Sequence, residues 1–286
     1  MVASNDTPNK GALYLIPTTL GDNEPLEVLP LSVKKIIEET TYFIVENEKT
    51  ARRFIKKICP KKAQGSLKIE TLNKFTDFSL LPSYLDPCLE GENVGIISEA
   101  GCPGIADPGA DIVAIAHEKG ISVIPLVGPS SILLSLMASG FNGQSFAFNG
   151  YLPIDNQERA KSIKQLEQLA LQKDQTQLFI ETPYRNNAMF DSLCKQLQSS
   201  TNLCIACDIS FDSNGLTTIG TNCSSNCFNF VYTTCSDNNF CASARECAGD
   251  AFANSASAAG DDGNVAFKAE EFTWCGVFLA HFDSIL

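Results

Sequence analysis

Residues Val94–Gly109 read VGIISEAGCPGIADPG. The run Val94–Ile97 is apolar with no polar alternation, the pattern of a strand covered on both faces. A loop rich in Gly and Pro follows, and after Pro108-Gly109 the spacing of Ile112, Val113, Ile115 and Ala116 predicts a helix that stops at Gly120. Strand, loop and helix in this order form one βα unit of a parallel sheet, and such sheets carry their ligand loops at the carboxyl ends of strands.

The same alternation extends in both directions. Strands are expected at Leu13–Pro17, Tyr42–Val45, Ser122–Pro125, Gln177–Ile180 and Leu203–Ile209. Helices are expected at Ser32–Glu39, Glu48–Ile58, Ser130–Ser139, Gln157–Leu171 and Asn187–Leu197. This is an α/β chain with a mostly parallel sheet. A boundary near Leu126–Ser130 gives lobes over 11–126 and 127–210, followed by an atypical stretch over 211–286.

Four loops stand at expected strand ends: Pro17–Asn23 (PTTLGDN), Ser98–Gly109, Val127–Ser131 (VGPSS) and Glu181–Arg185 (ETPYR). Glycine lets a backbone approach a ligand and proline fixes the loop's shape. Gly128-Pro129-Ser130-Ser131 opening a helix offers free N–H groups and hydroxyls to a polar ligand. Any one of them alone is an ordinary βα turn, and Ser130 alone is an ordinary N-cap. Neither a GxGxxG fingerprint nor a P-loop is present, so dinucleotide and nucleoside-triphosphate sites of those kinds are unsupported.

Composition bounds the rest. The 286 residues are 44% apolar and 19% charged, enough for a substantial core. No apolar stretch is long enough to span a membrane, and Met1–Lys10 is polar without an apolar core, so a soluble cytoplasmic protein is expected. A homodimer is a separate expectation. Twelve cysteines without a secretory signal read as reduced thiols. Cys204 and Cys207 form a CxxC, but inside an apolar run rather than at the helix start of a redox motif. The formal charge of −12 opposes strong non-specific nucleic-acid binding. Against it stand Lys49, Arg52, Arg53, Lys56, Lys57, Lys61 and Lys62 within fourteen residues, a local basic patch or a solvated helix face.

After Ser210 the composition changes. This stretch holds six of the twelve cysteines but only Arg245 and Lys268 as basic residues, is rich in Asn and Ser, and lacks periodicity before about Phe267. An irregular tail is expected. Cys223, Cys227, Cys235, Cys241 and Cys247 lack the paired spacing of zinc ligands, and the only nearby histidine is His281, so no metal is expected.

Five segments in order, Leu13–Gly21 (LYLIPTTLG), Ile97–Gly109 (ISEAGCPGIADPG), Gly128–Gly140 (GPSSILLSLMASG), Phe146–Pro153 (FAFNGYLP) and Phe179–Arg185 (FIETPYR), resemble the tetrapyrrole methylase superfamily. More narrowly they resemble the ribosomal RNA small-subunit methyltransferase I group, over roughly Gly11 to Ser210. The resemblance implies two α/β lobes with S-adenosyl-L-methionine in the cleft between them. It implies that Leu20, Gly21 and Asp22 lie near the cofactor and that the backbone around Ala100, Gly101, Cys102 and Ile105 holds its methionine end. Ser130 and Ser131 would stand beside the cofactor, and Glu181 next to the adenosine. Thr50-Ala51-Arg52 matches a Thr-Arg motif of the ribosomal group.

Methyl transfer from a sulfonium is an in-line displacement, so alignment supplies most of the catalysis, and a hydroxyl acceptor also benefits from a base. Catalytic candidates are Glu46, Asn47 and Arg185, with Glu99 and Glu181 also near the expected site; Arg52 and Arg53 are expected on RNA phosphate and Arg185 on substrate. The family's closing strand pair is not legible after Asp208-Ile209-Ser210, nor is its accessory helical domain, and so abrupt a change fits a fused or frameshifted reading frame. Three functional readings stand. The motif variants and basic stretch favour a ribose 2′-O-methyltransferase acting on ribosomal RNA of the small subunit. The acidic charge favours a methylase of a tetrapyrrole or other small molecule. An interrupted second lobe favours a non-catalytic cofactor-binding or interaction protein.

Overall fold

The run Val94–Ile97 is completely buried and forms the middle strand of a five-stranded sheet in the computed structural model. The structure describes residues 10–207, together with the backbone strands 217–224, 227–232 and 276–281. The chain divides into two compact units, Met1–Ser130 and Ser131–Leu286.

In the first unit β1 (Ala12–Ile16), β2 (Tyr42–Val45), β3 (Lys68–Thr71), β4 (Val94–Ile97) and β5 (Ser122–Pro125) lie in the order β3-β2-β4-β1-β5. All four pairings are parallel. The helices are α1 (Pro25–Val28), α2 (Leu31–Glu39), α3 (Glu48–Ile58), α4 (Asp86–Leu89) and α5 (Gly109–Glu118), with a 3-10 stretch at Phe78–Leu85. Alternation along β2 feeds both faces. Phe43 and Val45 pack with Ile16 and with Val33, Ile37, Ile55 and Ile58 of α2 and α3. Ile44 points the other way, with Leu13, Val94, Ile96, Leu81, Leu85 and Ile112. Asn47 starts α3 by accepting hydrogen bonds from the backbone N–H groups of Lys49 and Thr50, the geometry of an N-cap.

The second unit holds β6 (Phe146–Tyr151), β7 (Thr176–Glu181), β8 (Asn202–Cys207), β9 (Thr217–Ser224), β10 (Cys227–Tyr232) and β11 (Gly276–His281), with α6 (Ser131–Ser139), α7 (Asn156–Lys173) and α8 (Asn186–Gln196). Its order is β10-β9-β8-β11-β7-β6. Leu136 of α6 packs with Leu178, Ile180, Cys204 and Ala206. On the opposite face Phe179 and Leu203 pack with Ile163, Met189 and Leu193 of α7 and α8.

Two expectations change here. A mostly parallel sheet holds for the first unit, but in the second only β6 and β7 pair in parallel. β11, a strand from far along the chain, enters antiparallel between β7 and β8, and the consecutive strands β8, β9 and β10 pair antiparallel with one another. The stretch read as an irregular tail thus contributes three strands, one of them central. The junction at Asp208, Ile209 and Ser210, together with Cys235, Cys241, Arg245, Cys247, Phe267 and Lys268, lies outside the described residues, and Cys223, Cys227 and His281 are described by their backbone strands alone. Strands β3 and β6 were not anticipated: both are edge strands, half exposed, with little apolar periodicity to mark them.

A Cβ on Gly95 would stand 2.6 Å from the Ile16 Cδ1 and 3.1 Å from the Phe43 Cδ1. Both neighbours are fully buried, so neither can retreat to solvent. Gly95→Ala is expected to lower stability by about 1–3 kcal/mol through overpacking, measured by urea unfolding; an unchanged midpoint would refute this account of the core.

Candidate active site

The carboxyl ends of β1, β4 and β5 carry three loops that lock onto one another. The Gly101 carbonyl accepts from the Thr18 N–H at 3.0 Å and from the Ser98 hydroxyl at 2.6 Å. The Thr18 hydroxyl donates to the Ser98 carbonyl at 3.3 Å. Gly101 has φ +71°, and a Cβ there would meet the Leu20 Cδ2 and the Pro129 carbonyl oxygen, each at 3.1 Å. The Cys102 thiol donates to the carbonyl oxygens of Pro129 at 3.3 Å and Gly128 at 3.8 Å. Gly128 lies so near Pro17 that a Cβ would fall 2.2 Å from the proline Cβ. Of the expected cofactor residues in this unit, Leu20, Gly101 and Cys102 are therefore in one packed cluster. Gly21 is buried beside them and accepts from the Thr19 hydroxyl at 2.6 Å. Ala100 and Ile105 are exposed on the same loop, and Ser130 ends the first unit.

A second feature sits at the carboxyl ends of β2 and β4. Glu46 and Asp107 line a shallow cleft walled by Val45, Leu72, Ile97 and Pro108. Asp107 Oδ1 accepts from the backbone N–H groups of Gly104 at 2.7 Å and Gly109 at 2.9 Å. It thereby closes a turn that holds Ala106 at φ +60°, a left-handed conformation rare for alanine. Glu99 accepts from the Thr50 hydroxyl at 2.7 Å. Burial, then the charges of Asp107 and Glu99, raise the Glu46 carboxyl to about 7. Burial also raises Asp107, against its two amide hydrogen bonds. A carboxyl titrating near neutrality at a strand end is a candidate acid or base with a stated physical cause. The candidate pattern was visible at Glu46 but not at Asp107, which in the sequence is simply an Asp before Pro-Gly.

Several other candidates have partners within the fold. The Asn47 side chain is occupied as the cap of α3, so it shapes the site through that helix. The Arg52 Nε donates to Glu48 at 2.7 Å and its NH1 to the Gln64 carbonyl at 2.7 Å, so the half-exposed guanidinium already has protein partners. Lys57 donates to the carbonyls of Asp22 and Asn23, and Lys62 to that of Glu38. Arg53 is exposed, as are Lys49, Lys56 and Lys61.

In the second unit Glu181 is fully buried at the end of β7. Arg185 NH2 lies 2.9 Å from Glu181 Oε2, an ion pair with the oxygen off the N–H directions, and donates to the Leu152 carbonyl at 3.2 Å. Glu181 Oε1 also accepts from the Thr182 N–H at 2.8 Å. Ser131 opens α6, and its carbonyl accepts from the Ser135 hydroxyl.

No family model matches the chain. It is 26% identical over 185 residues to the ribosomal RNA small subunit methyltransferase I of Halalkalibacterium halodurans, covering 65% of this chain and 60% of that protein. With the protein of the same name from Vibrio cholerae it shares 27% identity over 199 residues, 69% of this chain and 62% of that one. The chain resembles the ribosomal RNA small subunit methyltransferase I proteins. The Synechocystis protein of that name is 35% identical over 116 residues, 41% of this chain and 40% of its own length. The chain thus spans about 60% of the length of curated relatives it matches. Among solved structures, the methyltransferase CobJ aligns with a TM-score of 0.53 at 13% identity, covering 95% of this chain and 94% of its own. Cobalt precorrin-4 methyltransferase aligns at 0.50 and 11%, covering 94% of each. The fold is α/β of the tetrapyrrole-methylase type. Among the described residues no helix is long and apolar enough to cross a membrane.

The Glu46 shift predicts a pH-dependent stability. Its carboxyl is held above its unfolded value of 4.5, so its contribution is fully present below about pH 4.5 and is lost as pH rises through about 7. Glu46→Gln removes that loss. Its stability relative to the parent is expected to grow by about 1–2 kcal/mol between pH 5 and pH 8, the full linkage value being discounted for partial exposure. Urea unfolding across this range checks it, and a difference independent of pH would refute the assignment.

Proposed function

We propose that the chain is an S-adenosyl-L-methionine-dependent methyltransferase that 2′-O-methylates a ribose in small-subunit ribosomal RNA, acting in the cytoplasm as a homodimer. The observation that carries this is the packing of three strand-end loops around Gly101. A left-handed glycine, tight against Leu20 and the Pro129 carbonyl, sits at the point where those loops meet. Similarity to the ribosomal methyltransferases over about two-thirds of the chain supports the RNA acceptor.

In this proposal the backbone around Ala100, Gly101, Cys102 and Ile105 holds the methionine end of the cofactor, Leu20 and Gly21 lie near it, Ser130 and Ser131 stand beside it and Glu181 next to the adenosine. When bound, the cofactor supplies an electrophilic methyl group. Glu46 orients the acceptor hydroxyl and takes its proton as the oxygen–methyl bond forms and the sulfur–methyl bond breaks. A carboxyl near 7 is matched to that task at neutral pH, because it is substantially ionised yet basic enough to hold a proton. Asn47 fixes the start of α3 beside Glu46, and Arg185 orients substrate from its pairing with Glu181. Arg53, with Lys49 and Lys56, meets phosphate; Arg52 supports the helix through Glu48 and the Gln64 carbonyl.

Isothermal titration with S-adenosylmethionine tests the cofactor, and absence of binding removes the enzyme proposal. Labelled cofactor incubated with immature small ribosomal subunits tests the acceptor: no labelled RNA from a cofactor-competent protein would favour a small-molecule acceptor. Arg53→Glu is expected to reduce RNA methylation about tenfold or more with cofactor affinity and melting temperature unchanged. Arg52→Glu should lower the melting temperature, since it places like charge beside Glu48 and loses the Gln64 contact. Equal effects of the two on RNA methylation at equal stability would overturn the division between them.

A further inference from the structure

The loop after β3 exposes two phenylalanines. Phe75 is 83% exposed and Phe78 66%, while Leu72 and Leu81 on either side are buried. The chain therefore reaches the core on both sides of the pair and turns outward between. The outward turn is built by specific bonds. The Phe75 N–H donates to the Asn73 side chain at 2.9 Å, and the Thr76 N–H to the Asn73 carbonyl at 2.9 Å. The Thr76 hydroxyl donates to the Thr71 carbonyl at 3.1 Å, and the Ser79 N–H to the Asp77 carboxylate at 2.9 Å. The Lys74 Nζ stands 5.0 Å from the Phe75 ring centroid.

Place gives this pair meaning. It leaves the carboxyl end of β3, which pairs in parallel with β2, Val45 opposite Thr71. The carboxyl end of β2 carries Glu46 and then α3, whose exposed Lys49 and Arg53 are one turn apart and share a face. Leu72, at the root of the loop, lines the same cleft as Glu46 and Asp107. The rings, on the Leu72 and Leu81 side of the sheet, and the α3 cations, on its other side, thus flank the Glu46 carboxylate at one edge, all leaving from neighbouring strands.

We propose that Phe75 and Phe78 form a stacking platform for unpaired bases of the RNA, which delivers a splayed-out nucleotide toward Glu46. The inference rests on the RNA-acceptor reading and deepens it. Proteins take single-stranded RNA on aromatic faces flanked by cations, because every base has a π-face and every nucleotide a phosphate. Lys74 over the Phe75 ring and the Lys49–Arg53 face complement that phosphate. Stacking is largely insensitive to salt, whereas phosphate contacts set the salt dependence.

The test uses the full chain, a fluorescent oligouridylate as probe, and two double variants, F75A/F78A and F75L/F78L. Both are expected to weaken binding about tenfold or more, with an unchanged slope of log affinity against log salt, unchanged S-adenosylmethionine affinity and an unchanged melting temperature. Arg53→Glu should instead flatten the slope. If the parent binds and both double variants bind within about twofold of it, the platform is refuted. If the leucine pair binds like the parent while the alanine pair does not, apolar packing replaces stacking and the proposal falls. If either variant changes the sedimentation coefficient, the pair is a contact between copies of the chain, and the proposal again falls. If the parent itself does not bind the probe, the RNA-acceptor reading fails first and carries this one with it.

Discussion

The carbonyl of Gly101 is the point on which the first unit's site turns. It receives one hydrogen bond from the loop after β1 and one from Ser98 at the end of its own strand. Three adjacent parallel strands deliver their loops to the same edge, but parallel topology alone leaves those loops as separate solvated turns. The Gly101 carbonyl and the Cys102 thiol convert them into one body. Burial raises the thiol's pKa, which keeps the S–H proton that it donates to the Pro129 carbonyl. Ordering a loop residue costs about 1–2 kcal/mol of backbone entropy, so mutual bonding is what lets these loops hold a fixed shape.

The electrostatics of the neighbouring cleft follow from the same closure. Asp107 is drawn in to satisfy the N–H groups of Gly104 and Gly109, and so becomes a half-buried carboxylate facing Glu46. Two carboxylates in one cleft cannot both ionise cheaply. Asp107 has amide donors to support its charge, and for Glu46 burial and two neighbouring negative charges act in the same direction. The turn that shapes the backbone thus also sets the titration of the carboxyl beside it.

Central strands were legible because both their faces are buried: Val94–Ile97 and Tyr42–Val45 run where apolar spacing places them. Lys68–Thr71 was not, since an edge strand of alternating exposure carries no apolar signal. Gly276–His281 was not, because its partners Phe179 and Ile205 are distant in sequence and it follows a long stretch without periodicity. Pairing of that kind is a long-range choice that no local pattern records. At the site, Gly101 and Leu20 were legible as loop residues. Asp107 was not, because its role depends on which N–H groups its carboxylate meets in space.

Charge shows the same limit and explains how an acidic chain presents a basic face. Seven cations lie in one short stretch, but the fold sorts them. Arg52, Lys57 and Lys62 are held along the surface by Glu48 and by backbone carbonyls, while Lys49, Arg53, Lys56 and Lys61 stand exposed on the same stretch. A half-exposed pair such as Arg52 with Glu48 adds modest stability; the larger consequence of these contacts is geometric. Lys57 binds the carbonyls of Asp22 and Asn23 and the Glu24 carboxylate at 3.3 Å, and so ties α3 to the very loop that carries Leu20 onto Gly101. Asn47 fixes the other end of the same helix next to Glu46. One helix therefore joins the exposed cations, the titrating carboxyl and the packed loops, and its two anchored ends fix where each stands relative to the others within the first unit.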